Sequence, residues 1–196
     1  MTRLVLASAS PARRATLRAA GIEPSVVVSG VDESVVTDLA PAALALRLAE
    51  LKRDAVAADV TDGSLVLGCD SVLELEGEAF GKPGDAADAV RRWEAMRGRS
   101  GVLHTGHALR DTASGREAAA VGSTVVHFAQ VTDAEIAAYV DSGEPLQVAG
   151  AFTIDGLGGA FVSRIEGDHH NVVGLSLPLL RVLVAELGHA WTDLWA

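Results

Sequence analysis

Short apolar runs alternate along this chain with longer segments in which apolar residues recur every three or four positions. The short runs are typical of buried strands, and the longer segments are typical of helices with one face on a core. Strands are predicted at residues 4–7, 25–29, 65–75 and 160–165, with a hairpin across residues 102–128 that turns at 111–115. Helices are predicted at residues 12–20, 41–58, 86–96, 132–140 and 177–187.

The order of these elements predicts an α/β fold. Strands alternate with helices in the first half of the chain, and a hairpin follows, so we expect one mixed, twisted sheet with flanking helices. The chain shows no internal repeat, linker or low-complexity tract. A length of 196 residues is enough for an ordinary hydrophobic core. We therefore expect a single domain over residues 1–196.

Composition restricts the partners that this chain can have. The formal net charge is −10, and a field of this sign repels polyanions, so neither nucleic acid nor an anionic membrane is an expected partner. The single cysteine, Cys69, excludes an internal disulfide and fits a reducing compartment. The longest apolar stretch, residues 172–187, is interrupted by Pro178, Arg181 and Glu186 and is not expected to span a membrane. We expect a soluble cytoplasmic protein.

A first candidate site lies between the first strand and the first helix, at Ser8-Ala9-Ser10-Pro11-Ala12-Arg13-Arg14. The N–H groups of a helix N-terminus, two hydroxyls and two guanidiniums together favour an anion. The alternative is that Ser10 only caps the helix and both arginines are solvated. Consecutive helical residues point in different directions, so at most one of the two arginines can face the site.

A second candidate is Asp70, in the middle of an apolar strand. A carboxylate that is buried there without a partner would be costly, so we expect it to face a cleft or to pair with a cation. A functional role or a structural salt bridge would each satisfy this requirement. Strand alternation points the Cys69 thiol away from Asp70, which indicates a packed core group and not a nucleophile.

The two lysines and one further acidic pair complete the candidates. The chain carries its positive charge mostly on arginine, and its lysines are Lys52 and Lys82. Lys82 lies in Gly81-Lys82-Pro83, which suits the presentation of an ammonium to phosphate but is equally common in surface turns. It is not a Walker loop, because the upstream glycine spacing and the Ser or Thr after the lysine are missing. The carboxylates of Asp32 and Glu33, taken alone, could belong to an ordinary turn.

Three weaker patterns do not predict a site. His104 and His107 are three residues apart in a predicted strand, so they should point to opposite faces and not form a metal pair. The glycines of residues 156–159 lack the strand-turn-helix setting of a dinucleotide site. His169 and His170 are expected in an exposed polar loop.

Taken in chain order, these motifs resemble the Maf family of nucleotide pyrophosphatases, once called septum-formation inhibitors. The matching residues are Ser8-Ala9-Ser10-Pro11-Ala12-Arg13, Asp32-Glu33, Leu48-Ala49-Glu50-Leu51-Lys52, Gly68-Cys69-Asp70-Ser71, Gly81-Lys82-Pro83, Tyr139, Ala149-Gly150-Ala151-Phe152 and Asn171-Val172-Val173-Gly174-Leu175. No single motif is specific, but their common order over nearly the whole chain leaves little room for chance. Ala12 and Ser176 depart from the family, which usually has Arg and Pro there.

The resemblance implies an elongated mixed α/β fold with a central cleft, related to that of inosine triphosphatases, in a homodimer that uses Mg²⁺ or Mn²⁺. It also implies cleavage of a nucleoside triphosphate between the α and β phosphates, which yields monophosphate and pyrophosphate. Asp70 would be the general base and a metal ligand, with Glu33 as the other metal ligand. The triphosphate would be bound by Ser8, Ser10, Arg13, Lys52 and Lys82.

Base preference stays open at this point. At three family specificity positions this chain has Ala12, Ser71 and Asp155. The thymidine and uridine triphosphate branch has Arg, Thr and Gln there, and the 7-methylguanosine triphosphate branch has Trp, Gln and Glu. The chain fits neither branch, although the acceptor Asp155 would suit the donors of a guanine edge. One alternative is a house-cleaning enzyme for damaged or methylated nucleotides, and another is a nucleotide-binding regulator of cell division without turnover.

Overall fold

A computed structural model describes residues 2–196. Met1, the first residue of the predicted domain, lies outside the described residues. The strands are β1 (Leu4–Leu6), β2 (Ser25–Val26), β3 (Leu65–Leu75), β4 (Glu78–Phe80), β5 (Ser100–Asp111), β6 (Glu117–Phe128) and β7 (Val162–Glu166). The α-helices are α1 (Pro11–Ala19), α2 (Pro41–Ala57), α3 (Ala86–Met96), α4 (Asp133–Asp141), α5 (His169–Val173) and α6 (Leu177–Glu186).

These strands form one seven-stranded sheet in the order β2-β1-β3-β5-β6-β7, with β4 paired to β3. The pairs β2-β1 and β1-β3 are parallel. The pairs β3-β5, β5-β6 and β6-β7 are antiparallel. The predicted fold class, a mixed sheet with flanking helices, is confirmed. None of the helices in residues 2–196 has the length and apolar character needed to cross a bilayer.

The apolar residues of β3 divide the core in two. Alternate residues of a strand face the same side of a sheet, so Leu65 and Leu67 share a face with Leu73 and Leu75. The first pair packs with residues of α1 and α6, and the second pair packs around Trp93 with residues of α3 and α4. Ser71 lies on this face between the two clusters. The opposite face of β3 is covered by α2.

The edge of β3 opposite β5 is open at its centre. On that side β1 pairs with Leu65–Leu67, and β4 pairs with Leu73–Leu75. Within the described residues, positions 68–72 have no strand partner there. The two flanking strands therefore border a break in the sheet, and Asp70 lies in the middle of it.

Two predictions about local structure were wrong. Residues 25–29 were expected as a full strand, but β2 is only Ser25–Val26, because it lies at the sheet edge and pairs with the three-residue β1. His169 and His170 are exposed as expected, but they lie in a helix and not in a loop. The Asp168 carboxylate accepts the His170 N–H to start α5, and Gly174 at φ 115° ends it.

Candidate functional site

Asp70 lies on the face of β3 that α2 covers and is 8% exposed. Lys52, from α2, forms an ion pair and hydrogen bond with its Oδ1. The same ammonium lies 2.6 Å from Oε1 of Glu33, which comes from a short 3₁₀ helix, Glu33–Val35. The ammonium of Lys52, whose side chain is mostly buried, therefore joins two carboxylates that are far apart in the sequence.

Two glycines allow α2 to approach the sheet closely enough for this contact. Gly68 lies two residues before Asp70 on β3, and Gly106 is the cross-strand neighbour of Asp70 on β5. A Cβ at Gly68 would clash with the backbone carbonyl of Ala49 and lie 2.7 Å from the backbone nitrogen of Arg53. A Cβ at Gly106 would clash with the carbonyl of Ala45 in the same way. Helix backbone therefore lies directly on strand backbone, and Lys52 reaches Asp70 from it.

Burial raises the pKa of the Asp70 carboxyl above its ordinary value, against the lowering effects of Lys52 and Arg13. A carboxylate with a raised pKa is a stronger base. Within residues 2–196, its second oxygen, Oδ2, has no hydrogen-bond partner. The neighbouring Cys69 is fully buried in the core, and burial raises the pKa of its thiol to about 12, so it is not a nucleophile at neutral pH.

Arg13 lies on the other side of the open strand edge and is 9% exposed. Its Nε donates to the carbonyl of Gly174 at 2.7 Å, and one terminal nitrogen donates to the Cys69 carbonyl at 2.9 Å. The guanidinium also donates to the hydroxyls of Ser8 at 3.0 Å and Ser71 at 3.1 Å. Arg13 thus joins three segments of the chain at the break in the sheet.

The N-terminus of α1 forms one wall of a groove of about 330 Å³. Ser10 caps the helix by accepting the Arg13 N–H at 3.4 Å, and the Ser8 hydroxyl accepts the Ser10 N–H at 3.2 Å. Arg14 points outward and pairs with Glu23 at 3.3 Å. The two arginines diverge as helix geometry requires, with Arg13 buried and Arg14 exposed.

Three of the residues expected at the site, Lys82, Asp155 and Ala12, have no described side-chain contact with Asp70, Lys52 and Glu33 or with Arg13 and its hydrogen-bond partners. Lys82 is exposed in the loop after β4, where the preceding Gly81 carbonyl accepts from Arg92 and from the Gly150 N–H. Asp155 is exposed before a 3₁₀ helix at Leu157–Phe161. Ala12 is half-buried at the second position of α1. Their expected roles stay predictions.

The residues present fit a hard divalent cation only in part. Within residues 2–196, no group of three or more His, Cys, Asp or Glu side chains could hold a metal ion. Glu33 and Asp70 converge on the ammonium of Lys52, so an ion would bind to the carboxylate oxygens that Lys52 leaves free. Mg²⁺ is commonly held by one or two carboxylates together with water and substrate phosphates. The donor set therefore fits an ion that arrives with a phosphate ligand.

The sequence patterns missed a set of polar residues behind Arg13. Thr105 is fully buried, and its hydroxyl donates to the Asn171 carbonyl at 3.0 Å and contacts the Ser71 hydroxyl at 3.0 Å. His107 accepts the Ser176 N–H at 2.8 Å, and burial lowers its pKa to about 4. His104 and His107 point to opposite faces of β5 as predicted, with His104 bound to Glu74 at 2.9 Å. No spacing in the sequence indicates that Thr105 contacts Ser71.

The family model for Maf-like proteins matches residues 3–187. The chain belongs to the Maf-like family. This confirms the resemblance that the ordered motifs indicated.

Maf-like relatives are similar to this chain over nearly its whole length. A nucleoside triphosphate pyrophosphatase from Salinispora tropica is 65% identical, over 99% of this chain and 88% of its own. A protein of the same description from Streptomyces coelicolor is 63% identical, over 99% of this chain and 95% of its own. A crystal structure of a nucleoside-triphosphatase / dITP/XTP pyrophosphatase from Mycobacterium abscessus is 18% identical, covers 66% of this chain and 76% of its own, and has a TM-score of 0.42.

Proposed function

We propose that this Maf-like protein is a metal-dependent nucleoside triphosphate pyrophosphatase that cleaves between the α and β phosphates. The observation that carries the proposal is Asp70, a buried carboxylate with a raised pKa at an open strand edge, with Lys52 and Arg13 on either side. A base placed among cations suits attack of water on a phosphoanhydride. The descriptions of the relatives support the same reaction class.

Asp70 is the general base in this proposal. Its Oδ1 is held by Lys52, which fixes the position of that oxygen. Oδ2 is then the oxygen that takes a proton from the attacking water, which becomes the new oxygen of the monophosphate. Pyrophosphate is the leaving group.

Lys52 and Ser8 bind the phosphates. An ammonium has three N–H donors, and Glu33 and Asp70 occupy two of those of Lys52, so one is left for a phosphate oxygen. Ser8 accepts hydrogen bonds from Arg13 and Ser10, so its own proton is left to donate. We assign the exposed Lys82 and the helix-capping Ser10 to the same triphosphate, as the resemblance implies.

Glu33 and Asp70 would hold Mg²⁺ or Mn²⁺ through lone pairs that Lys52 and the attacking water do not use, with the remaining ligands from water and phosphate. Such an ion would neutralise the charge that develops on the phosphate oxygens. Ala12, Ser71 and Asp155 are proposed to set the base preference. The resemblance further supports a homodimer, and the single buried cysteine fits a cytoplasmic location.

Product identification tests the proposal. The protein is incubated with normal and methylated nucleoside triphosphates and Mg²⁺ or Mn²⁺, and the phosphorus products are resolved by ³¹P NMR. We expect monophosphate and pyrophosphate, loss of turnover with excess chelator, and recovery when the metal is restored. Release of orthophosphate would contradict the reaction class. Tight binding without turnover would favour the alternative of a nucleotide-responsive regulator.

A further inference from the structure

The hydroxyl groups at the break in the sheet can each be assigned a direction. The backbone carbonyl of Asn171 can only accept a hydrogen bond, so the Thr105 hydroxyl donates its proton to it, with 3.0 Å between the two oxygens. The Arg13 guanidinium only donates, so Ser71 accepts from it at 3.1 Å. The contact of 3.0 Å between Thr105 and Ser71 therefore has Ser71 as the donor. Ser71 has used its only proton.

Arg13 itself has little capacity left for a ligand. A guanidinium has five N–H donors. Four are used within the described residues, on the Gly174 and Cys69 carbonyls and on the Ser8 and Ser71 hydroxyls. Its position is consequently fixed from three sides before any ligand binds.

The two serines beside Arg13 are left with opposite hydrogen-bonding capacities. Ser8 accepts two hydrogen bonds and keeps a free proton, so it can donate to an anionic oxygen. Ser71 is half-buried, has donated its proton to Thr105, and keeps one acceptor lone pair. A phosphate oxygen is an acceptor and would be repelled by that lone pair. A base amino or imino group, or a sugar hydroxyl, would be attracted.

We propose that Thr105 is a positioning residue that orients the Ser71 hydroxyl as an acceptor and so selects nucleotides that present an N–H or O–H donor there. This deepens the proposed function and rests on it. Ser8 then marks the phosphate side of the site, and Ser71 marks the nucleoside side. Thr105 has no accessible surface and acts only through Ser71.

The test uses pairs of nucleoside triphosphates that differ by one donor group: guanosine and inosine, adenosine and purine riboside, cytidine and pyrimidin-2-one riboside, and ribose and 2′-deoxyribose. Each pair is measured as kcat/KM for hydrolysis and as Kd for the α,β-methylene analogue. The wild-type chain should favour the donor-bearing member of at least one pair by about three- to tenfold. Thr105→Val, which is close in shape but lacks the hydroxyl, should reduce or invert that ratio because the Ser71 proton is released.

Three further variants separate orientation from stability. Thr105→Ser keeps the hydroxyl and should retain the wild-type ratio of kcat/KM within each nucleotide pair. Ser71→Ala should abolish this preference. Thr112→Val is the matched control, because the half-buried Thr112 also donates to a backbone carbonyl, that of Ser64 at 2.9 Å, and touches neither Ser71 nor Asn171. It should lower thermal stability while keeping the ratio.

Each outcome either supports or overturns the inference. An unchanged kcat/KM ratio in Thr105→Val, an equal change in Thr112→Val, or no preference in any wild-type pair overturns it. If no nucleotide is hydrolysed but the Kd ratios change as expected, the inference stands and the proposed function fails. If no analogue binds at all, both fail.

Discussion

At the scale of single residues, Lys52 holds two carboxylates at once. Its side chain is 11% exposed and so is that of Asp70, so neither charge is well solvated. Glu33, by contrast, is about half exposed, so its pair with Lys52 is screened by water. The contact between Lys52 and Asp70 should therefore dominate the energetics of the group.

Lys52→Met should destabilise the protein and raise the pKa of Asp70 further. Loss of the ammonium leaves a buried carboxylate without its partner, at a cost of roughly 3 kcal/mol in the free energy of unfolding. Lys52 is one of the groups that lower this pKa, so its removal should shift the acid limb of the pH–kcat profile to higher pH. The measurements are a melting curve and a pH–rate profile.

Arg47→Met is the control on the same helix. Arg47 pairs at 3.3 Å with Glu50; the Arg47 side chain is exposed and that of Glu50 is partly exposed, so the pair is screened by water and contributes little to stability. An acid limb that stays in place in Lys52→Met would mean that the ammonium does not set the pKa of Asp70.

Sequence reasoning at this scale succeeded where geometry is local. Helix geometry alone indicated that only one of Arg13 and Arg14 could face the site, and Arg13 is the buried one. The need to pair a buried Asp70 with a cation was also predictable. That Lys52 supplies this cation, and that Thr105 contacts Ser71, depends on how α2 and β5 pack on β3, and local patterns do not contain this information.

At the scale of elements, the approach of α2 to the sheet sets the geometry of the site. Gly106→Ala should push α2 away, because the new Cβ would lie 2.7 Å from Leu46 Cα and closer still to the Ala45 carbonyl. A rigid helix cannot yield at one residue, so we expect a loss of about 1–3 kcal/mol in stability and a lower kcat. Thermal unfolding and steady-state kinetics measure the two effects.

Gly84→Ala is the matched control for that substitution. A Cβ at Gly84 meets nothing within 4 Å, so stability and kcat should stay close to wild type. Equal effects of the two substitutions would show that close packing of α2 on the sheet is not what limits the position of Lys52.

Elements with strong patterns were predicted well, and short ones were not. The bounds of β3 and α3 match the expected residues 65–75 and 86–96 because both have long apolar patterns ended by clear turn signals. The helix α4 has the predicted capping box between Thr132 and Glu135. The three-residue β4 and the five-residue α5 were missed, because neither is long enough to show a period.

At the scale of the whole molecule, His107 couples stability to pH. Burial lowers its pKa from 6.5 to about 4, so protonation is disfavoured in the folded state. A group with a depressed folded pKa contributes stability above its unfolded pKa and loses it as pH falls toward the folded value. Between about pH 6.5 and 4, His107 should therefore reduce the free energy of unfolding by on the order of 3 kcal/mol.

Melting temperatures over this pH range test the coupling. His107→Gln removes the titrating group but keeps an acceptor for the Ser176 N–H, so the melting temperature of this variant should fall less steeply as the pH is lowered. His169→Gln, at an exposed position on α5, should leave the fall in melting temperature with pH as it is in the wild type. Equal pH slopes in wild type and His107→Gln would contradict the assignment.

Asp70→Asn tests whether Asp70 is the general base of a pyrophosphatase. The substitution is nearly isosteric, but an amide cannot take a proton from water, so kcat should fall about a hundredfold or more. The melting temperature should fall, but by less than in Lys52→Met, because Lys52 keeps Glu33 and the amide oxygen as partners. The exposed Asp62→Asn is the control, and the wild-type products should be monophosphate and pyrophosphate. A kcat near the wild-type value, with a depressed melting temperature, would mean that Asp70 is only a structural ion-pair member and not the general base.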